Sequence, residues 1–321
     1  MKSSMKRSGS AAASWWRSRS GRARIGVGAI LLLALIECIA AARAYRPRAT
    51  ADDWGALAQA VEALPPGEPV LLAQPWLGPR ARMESARLRG WDSVAPADLH
   101  GAPRFHVVGL DGARWHARLQ DDLGDLPAPT YAGREPFGAL QLHHYEQPQA
   151  GALVDDWLAA SDRGLQLYDE RGRCRGTVGA WSCKQGKVAL ETLEIAYRPR
   201  RCLALRVDDG ARLKLKYPRA PLGDELRGHV GFADFNARLR SDAPLLLSIK
   251  IDGALAGRWV FTDSQGWAGF ALPTEAGEHD VELELVTTLS GTWKAERYAS
   301  NTAHVPCLEL RALTTAPEVT P

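Results

Sequence analysis

The sequence predicts an α+β protein in three parts: a single N-terminal transmembrane helix, a small α/β domain of Rossmann-like shape, and a β-sandwich of jelly-roll type. Three observations predict it. An apolar stretch from Ile25 to Ala42 follows a purely basic tail; helix-period segments alternate with short apolar runs between Asp52 and Tyr145; and from Cys202 to Leu313 the hydrophobic period falls to two.

Residues 25–42 are just long enough to cross a hydrocarbon core as a helix. The tail over residues 1–24 carries Lys2, Lys6, Arg7, Arg17, Arg19, Arg22 and Arg24 with no acid, so the positive-inside bias sets it in the cytoplasm and the bulk of the chain outside. This describes a single-pass signal-anchor in a cell membrane. Ala42-Arg43-Ala44 also fits a signal-peptidase site before Tyr45, so cleavage is the alternative; the long basic region and long apolar run favour retention. Cys38 follows Glu37 rather than a small residue and reads as an ordinary thiol, not a lipid-modified one. Glu37 lies near the outer end of the stretch, where a tilt brings its carboxylate to the interface.

The net charge of +3 is mostly that tail. Residues 1–50 hold ten Lys and Arg and one Glu, which leaves 30 basic against 36 acidic residues for the rest. A mildly acidic exterior excludes nucleic acid as an expected partner, since phosphate binding needs clustered positive charge. The exported cysteines are Cys174, Cys183, Cys202 and Cys307, an even number in a disulfide-permitting compartment. The favoured pairing joins Cys174 to Cys183 across a Gly-rich loop and Cys202 to Cys307 across a long one. Zinc is the competing use of four cysteines, but no C-x-x-C pair supports it.

The α/β domain is expected over 52–146. Asp52 to Leu64 places Trp54, Leu57, Ala58, Val61 and Leu64 at helical spacing behind capping-type acids, and Pro65-Pro66-Gly67 ends the run. Val70 to Ala73, Phe105 to Leu110 and Ala139 to Tyr145 read as buried strands, with a helix around Arg80 to Arg89 between the first two. Such alternation argues for a largely parallel sheet. No glycine-rich phosphate loop follows any strand, so no nucleotide or other cofactor is implied.

A junction over 147–201 holds the cysteine loop, an expected helix from Ala152 to Ala160 and a short strand from Leu165 to Tyr168. The sandwich spans 202–313, before a disordered tail at 314–321. Leu203, Leu205 and Val207, then Leu213, Leu215 and Tyr217, then Leu245, Leu247, Ile249 and Ile251 each share one face of a half-buried strand, and Val281 to Leu285 alternates apolar with acidic. Asp252-Gly253 marks a tight turn. With Leu203 and Leu308 pointing inward, Cys202 and Cys307 share the opposite face, so a bond between neighbouring first and last strands fits.

The chemistry-bearing residues are weighed against packing. His100, His106, His116, His143 and His144 fall in the α/β part, yet His143 and His144 are adjacent on a strand and point to opposite faces, and no tight ligand spacing appears. No metal site is expected. The acid pairs Asp121-Asp122, Asp155-Asp156, Asp169-Glu170 and Asp208-Asp209 read as solvated loop charge rather than a glycosidase pair. No G-x-S-x-G elbow is present, so no catalytic residue is assigned. Trp259, Phe261, Trp267 and Phe270 surround the turn from Asp263 to Trp267, and Trp293, Arg297 and Tyr298 fall in a later loop. Aromatic rings beside Arg and Asp suit a sugar, whose ring faces are apolar and whose rim is polar. Trp267, Trp293, Arg297 and Tyr298 are the candidate ligand-binding residues; the other rings are core filler.

The segments Val70 to Pro75 with Gln74-Pro75-Trp76, Phe105 to Leu110, "YRPRRCLALRV", "LGDELRGHVGF" and "GWAGFALPT" resemble the extracytoplasmic region of bacterial GT-C type membrane glycosyltransferases. Those enzymes hold their catalytic acids on loops between many spans, so the resemblance carries over no catalytic residue to a single-span chain. It implies an accessory or stand-alone envelope domain. The function expected is a non-enzymatic, membrane-tethered binding or scaffolding protein of the cell envelope, whose sandwich contacts glycan or an envelope protein. The alternative is an enzyme or accessory subunit in envelope glycan metabolism.

Overall fold

A computed structural model describes residues 30–41, 49–88, 99–110, 112–114, 123–159, 164–177, 179–196, 198–207, 210–233, 244–287 and 305–315. The chain forms two units, Met1–Arg48 and Ala49–Pro321. In the first, residues 30–41 are helical and exposed. Twelve helical residues rise only about 18 Å, against a hydrocarbon core of about 30 Å. Among the described residues no helix is long and apolar enough to cross a membrane. That corrects the expected span, whose remaining residues 25–29 and 42 lie outside the described ones.

The α+β expectation is corrected as well: the described residues are mostly β, 55% strand and 18% helix. The second unit opens with α1 (Ala51–Ala63), capped at Thr50, whose hydroxyl accepts the Asp53 N–H while the Asp53 carboxylate accepts the Thr50 N–H. Trp54, Leu57, Ala58 and Val61 are its buried stripe, as their spacing predicts. Arg87 ties down the exit from the helix by donating to the carbonyls of Val61, Leu64, Pro65 and Glu68. The next helix, α2 (Gly78–Glu84), stops before the Arg89 expected of it.

These helices accompany a four-stranded sheet of order β1-β2-β4-β3, built from β1 (Val70–Leu72), β2 (Arg104–Leu110), β3 (Thr130–Phe137) and β4 (Leu140–Glu146). Only β1 and β2 run parallel; β2, β4 and β3 pair antiparallel. The parallel, Rossmann-like expectation fails because an apolar run reads the same in either direction. The deciding element is β3, an exposed edge strand containing Gly133, Arg134, Glu135 and Pro136, with no apolar alternation to announce it. It returns into β4 through Gly138, at φ +59. Val108, Leu110, Leu140 and Leu142 pack with α1, while Phe105, Val107 and Tyr145 meet Leu71, Leu99 and Leu123 on the other side.

The remaining strands are β5 (Ala152–Asp156), β6 (Gln166–Asp169), β7 (Gly172–Arg173), β8 (Arg175–Thr177), β9 (Ala180–Cys183), β10 (Gly186–Ile195), β11 (Arg198–Val207), β12 (Arg212–Leu222), β13 (Glu225–Ala233), β14 (Leu245–Ile251), β15 (Ala254–Phe261), β16 (Ala268–Pro273), β17 (Gly277–Thr287) and β18 (Val305–Thr314). They make a sandwich. One sheet runs β16-β13-β18-β11-β10-β9-β8, with β5 also on β18; the other runs β15-β14-β17-β12-β6-β7. The first strand replaces the helix expected over Ala152 to Ala160, its backbone being taken up by β18. Leu203, Leu205, Leu308 and Leu310 from one sheet and Leu213, Leu215, Leu247, Ile249 and Leu283 from the other share a single core.

Both expected disulfides form. Cys174 joins Cys183 across nine residues and Cys202 joins Cys307 across 105, with Cα atoms 4.4 and 5.5 Å apart. Leu203 stands opposite Leu308 in the β11–β18 register, so the second bond lies on the outer face, as the parity of the two strands requires.

Candidate functional site

The two sheets differ in what they show outward. On the six-stranded sheet the outer face is a solvated charge ladder, where Lys216 meets Glu282 at 3.0 Å and Arg212 meets Glu284 at 2.8 Å. An antiparallel sheet commonly has one such wet face. The eight-stranded sheet does not: its outward positions Cys202, Ala204, His229, Cys307, Glu309 and Arg311 are buried. Buried charge is costly without partners, so each of these charged groups needs its neighbours accounted for.

Parity aims the row. In β13, Leu226, Val230 and Phe232 enter the core, which turns Arg227, His229 and Gly231 outward; in β18, Leu308, Leu310 and Ala312 enter it, which turns Cys307, Glu309 and Arg311 outward. The register sets His229 opposite Glu309 and Gly231 opposite Cys307. Glu309 lies 2.5 Å from His229 Nδ1 and accepts from Arg311 Nε at 3.3 Å. The carboxylate thereby fixes the plane of the imidazole, whose Nε2 lies over Gly269; a Cβ there would sit 3.1 Å from it.

At one end of the row stands Trp267, half-buried, after a short turn that closes at Gly266 with φ +69. Its ring lies parallel to that of His229, 5.8 Å between centroids and 8° between planes. The Arg200 guanidinium carbon is 6.0 Å from the indole centre. The indole also rests on Gly231, where a Cβ would meet Cε3 at 2.6 Å, so only glycine admits the ring. Ile195 and the Cys202–Cys307 bond complete its apolar seat. Trp267 Nε1 is buried with no acceptor among the described residues.

The opposite end is held by the N-terminal layer. Arg311 Nη1 donates to the His100 carbonyl at 2.6 Å, His100 Nε2 lies 3.0 Å from Asp125, and Arg227 pairs with Glu225 at 2.6 Å. Asp156 stands beside Arg311 in the β5–β18 register. Burial pushes its carboxyl pKa up, against the hydrogen bond it accepts from the Leu158 N–H, and the nearby Glu309 adds to the rise.

Of the four ligand candidates from the sequence, Trp267 is placed on this face; Trp293, Arg297 and Tyr298 lie outside the described residues. Phe261 and Phe270 are core, and Trp259 packs on Phe270 at 4.7 Å. Asp155 and Asp156 sit on β5, with Asp155 buried, rather than in a solvated loop. Asp121-Asp122 and Asp208-Asp209 are outside the described residues. Asp169 gathers with Cys174 and Cys183 in metal-like proximity, but both sulfurs are bonded to each other. Although burial opposes it, the N–H groups of Arg171, Lys184 and Gln185 hold the Asp169 carboxyl below its usual pKa, so it braces the cysteine loop. Arg200, His229, Glu309 and Arg311 were absent from the sequence candidates. Their alternation with leucine marks them as outward, which reads as solvated unless something is known to lie on top.

No protein-family model matches the chain, and no curated protein does. Among solved structures, the CBM51-2 and INT domains of ZmpB from Clostridium perfringens align at 15% identity over 35% of this chain and 23% of that one, with a TM-score of 0.21. The C-terminal CBM6 of LamC, a laminarinase from Zobellia galactanivorans, aligns at 8% over 46% and 99%, with a TM-score of 0.23. A family 35 carbohydrate binding module from Clostridium thermocellum aligns at 10% over 34% and 76%, also at 0.23. The chain thus spans about a quarter of the ZmpB structure. Scores this low assign neither fold nor ligand.

Proposed function

We propose that the protein is a glycan-contacting binding protein of the cell envelope that meets sugar at the Trp267 end of the eight-stranded sheet. The observation that carries this reading is the indole itself, half-exposed at the end of a buried row and flanked by Arg200 and His229. A sugar offers an apolar C–H face to the exposed part of the ring and hydroxyls to the polar groups around its edge. Two disulfides support work in an oxidising compartment outside the cytoplasm. Binding rather than turnover is favoured because the buried charges along the row are already engaged with one another and with the turn at His100.

Glycan-array binding of the full chain tests this. Trp267→Ala is expected to weaken any glycan bound by about tenfold, the size of an aromatic contact. Trp267→Phe keeps a smaller ring over Gly231 and falls between the parent and Trp267→Ala. An array with no bound glycan refutes the reading, and so does glycan binding indifferent to both variants. Cleaved or extended glycans after incubation would replace it with the enzymatic alternative.

A further inference from the structure

His106 on β2 and His144 on β4 stand directly opposite in register, on the face of the four-stranded sheet remote from Tyr145. Their rings meet edge to face, 4.9 Å apart at 82°, and their Nδ1 atoms are 2.8 Å from each other. Each ring also has a carboxylate at its far nitrogen. His106 Nε2 is 2.8 Å from Glu68 Oε2, and His144 Nε2 is 3.5 Å from Glu135 Oε1. Glu68 comes from the loop that Arg87 clamps at its backbone carbonyl, and Glu135 from β3. Four side chains from four segments therefore form one line: carboxylate, imidazole, imidazole, carboxylate.

Two neutral imidazoles fit that line only by leaving His144 Nε2 without a hydrogen bond, as it stands among the described residues. Each has one N–H and one lone pair. If both protons sit on Nε2, facing the carboxylates, two lone pairs oppose each other across 2.8 Å. If both sit on Nδ1, two N–H groups collide there. With one of each, one ring turns a lone pair toward a carboxylate. A cation between the two Nδ1 atoms removes the conflict: both lone pairs turn to it and both Nε2–H groups donate outward. That is how imidazole ligands are held in protein metal sites, by a carboxylate on the other nitrogen.

We propose that His106 and His144 bind a divalent transition-metal ion of the zinc class through their Nδ1 atoms, with Glu68 and Glu135 orienting the rings and water completing the coordination. Imidazole donors select zinc, copper or nickel over calcium or magnesium. At zinc–nitrogen distances of about 2.0–2.1 Å, tetrahedral geometry sets two ligand nitrogens roughly 3.4 Å apart. Loading therefore parts the rings by about half an ångström, movement that the half-buried His144 permits. This site is separate from the Trp267 face, and neither reading depends on the other.

Calorimetric titration of the metal-stripped full chain with zinc alone decides the matter. One zinc per chain is expected, with a rise in melting temperature. His144→Ala abolishes that binding. Glu135→Gln, on an exposed strand where the fold tolerates change, weakens it about tenfold while leaving the melting temperature in chelator unchanged. Absence of stoichiometric zinc uptake overturns the proposal and leaves a proton shared between the rings. Uptake with wild-type affinity in Glu135→Gln, or in a folded His144→Ala, overturns it equally.

Discussion

Asp252 occupies the left-handed region, at φ +50, in the hairpin between β14 and β15, and Gly253 follows at φ +81. An Asp tolerates that conformation when its carboxylate finds local work. Here it meets His279 Nδ1 at 2.7 Å and accepts the Asp280 N–H at 2.9 Å, tying the hairpin to β17. The hydrogen bond to Asp252 raises the His279 pKa, and the same bond, followed by the Asp280 N–H, lowers that of Asp252. A raised histidine pKa stabilises fully below the unfolded value near 6.5 and stops doing so as pH rises through the folded one; a lowered aspartate pKa stabilises above the unfolded value near 3.9 and stops as pH falls. The pair therefore helps most between about pH 4 and 6.5. Thermal melts of His279→Ala against the parent are expected to differ most near pH 5.5 and to converge by pH 9; a gap that widens toward pH 9 contradicts the coupling. In Asp252→Asn, which keeps the turn, the His279 imidazole signals in NMR titrate at lower pH. The turn was legible from Asp252-Gly253 alone. Its partner was not, because nothing local points across the 27 residues to His279.

At the scale of elements, period-two alternation was informative wherever one face is core and the other water. Leu213, Leu215 and Tyr217 are buried as their spacing requires, and the lysines between them meet the acids that alternate along β17. It was silent for β3, whose two faces are both polar, and misleading for β5, whose Trp157 and Leu158 extend an apolar pattern past the strand end into what resembles a helix. The disulfides were legible by parity and by compartment, and their loop lengths rank them. By loop-closure entropy a 105-residue closure constrains the unfolded chain by about 4.7 kcal/mol and a nine-residue one by about 2.6 kcal/mol. Replacing Cys202 and Cys307 by alanine is expected to lower unfolding free energy in urea more than the same change at Cys174 and Cys183. The reverse order, measured with the m-value unchanged, would mean that the short bond and the Asp169 brace hold more of the fold than chain entropy allows.

For the molecule as a whole, the part that the sequence could not show is the contact between its layers. Charged residues at outward positions of β13 and β18 carry the same local pattern as the solvated ladder on the other sheet; among the described residues, His100 and Asp125 approach them from the N-terminal layer. Gly101, at φ +81, makes that approach feasible, since a Cβ there would lie 2.6 Å from the Leu313 side chain. The pairing of His106 with His144 was hidden for a related reason: ligand spacing is read along one strand, whereas this pair is made across two. Arg311 is where the layers' connection can be tested. Its guanidinium joins Glu309 on the sandwich to the His100 carbonyl of the N-terminal layer, and both charged side chains are 3% exposed. Arg311→Met keeps most of the volume but leaves the Glu309 charge short of a partner in a dry setting, a loss of about 3–5 kcal/mol for a broken buried pair. Arg206→Met removes a pair of similar length, 2.7 Å to Glu191, but on a side chain 46% exposed, and is expected to cost no more than about 1 kcal/mol. Urea unfolding followed by tryptophan fluorescence and by circular dichroism reads both variants. For the parent, the two probes are expected to report one coincident transition. In Arg311→Met the transition moves to lower urea and the probes separate as the layers part; equal costs for the two arginines would show that the seam is no more than a surface contact.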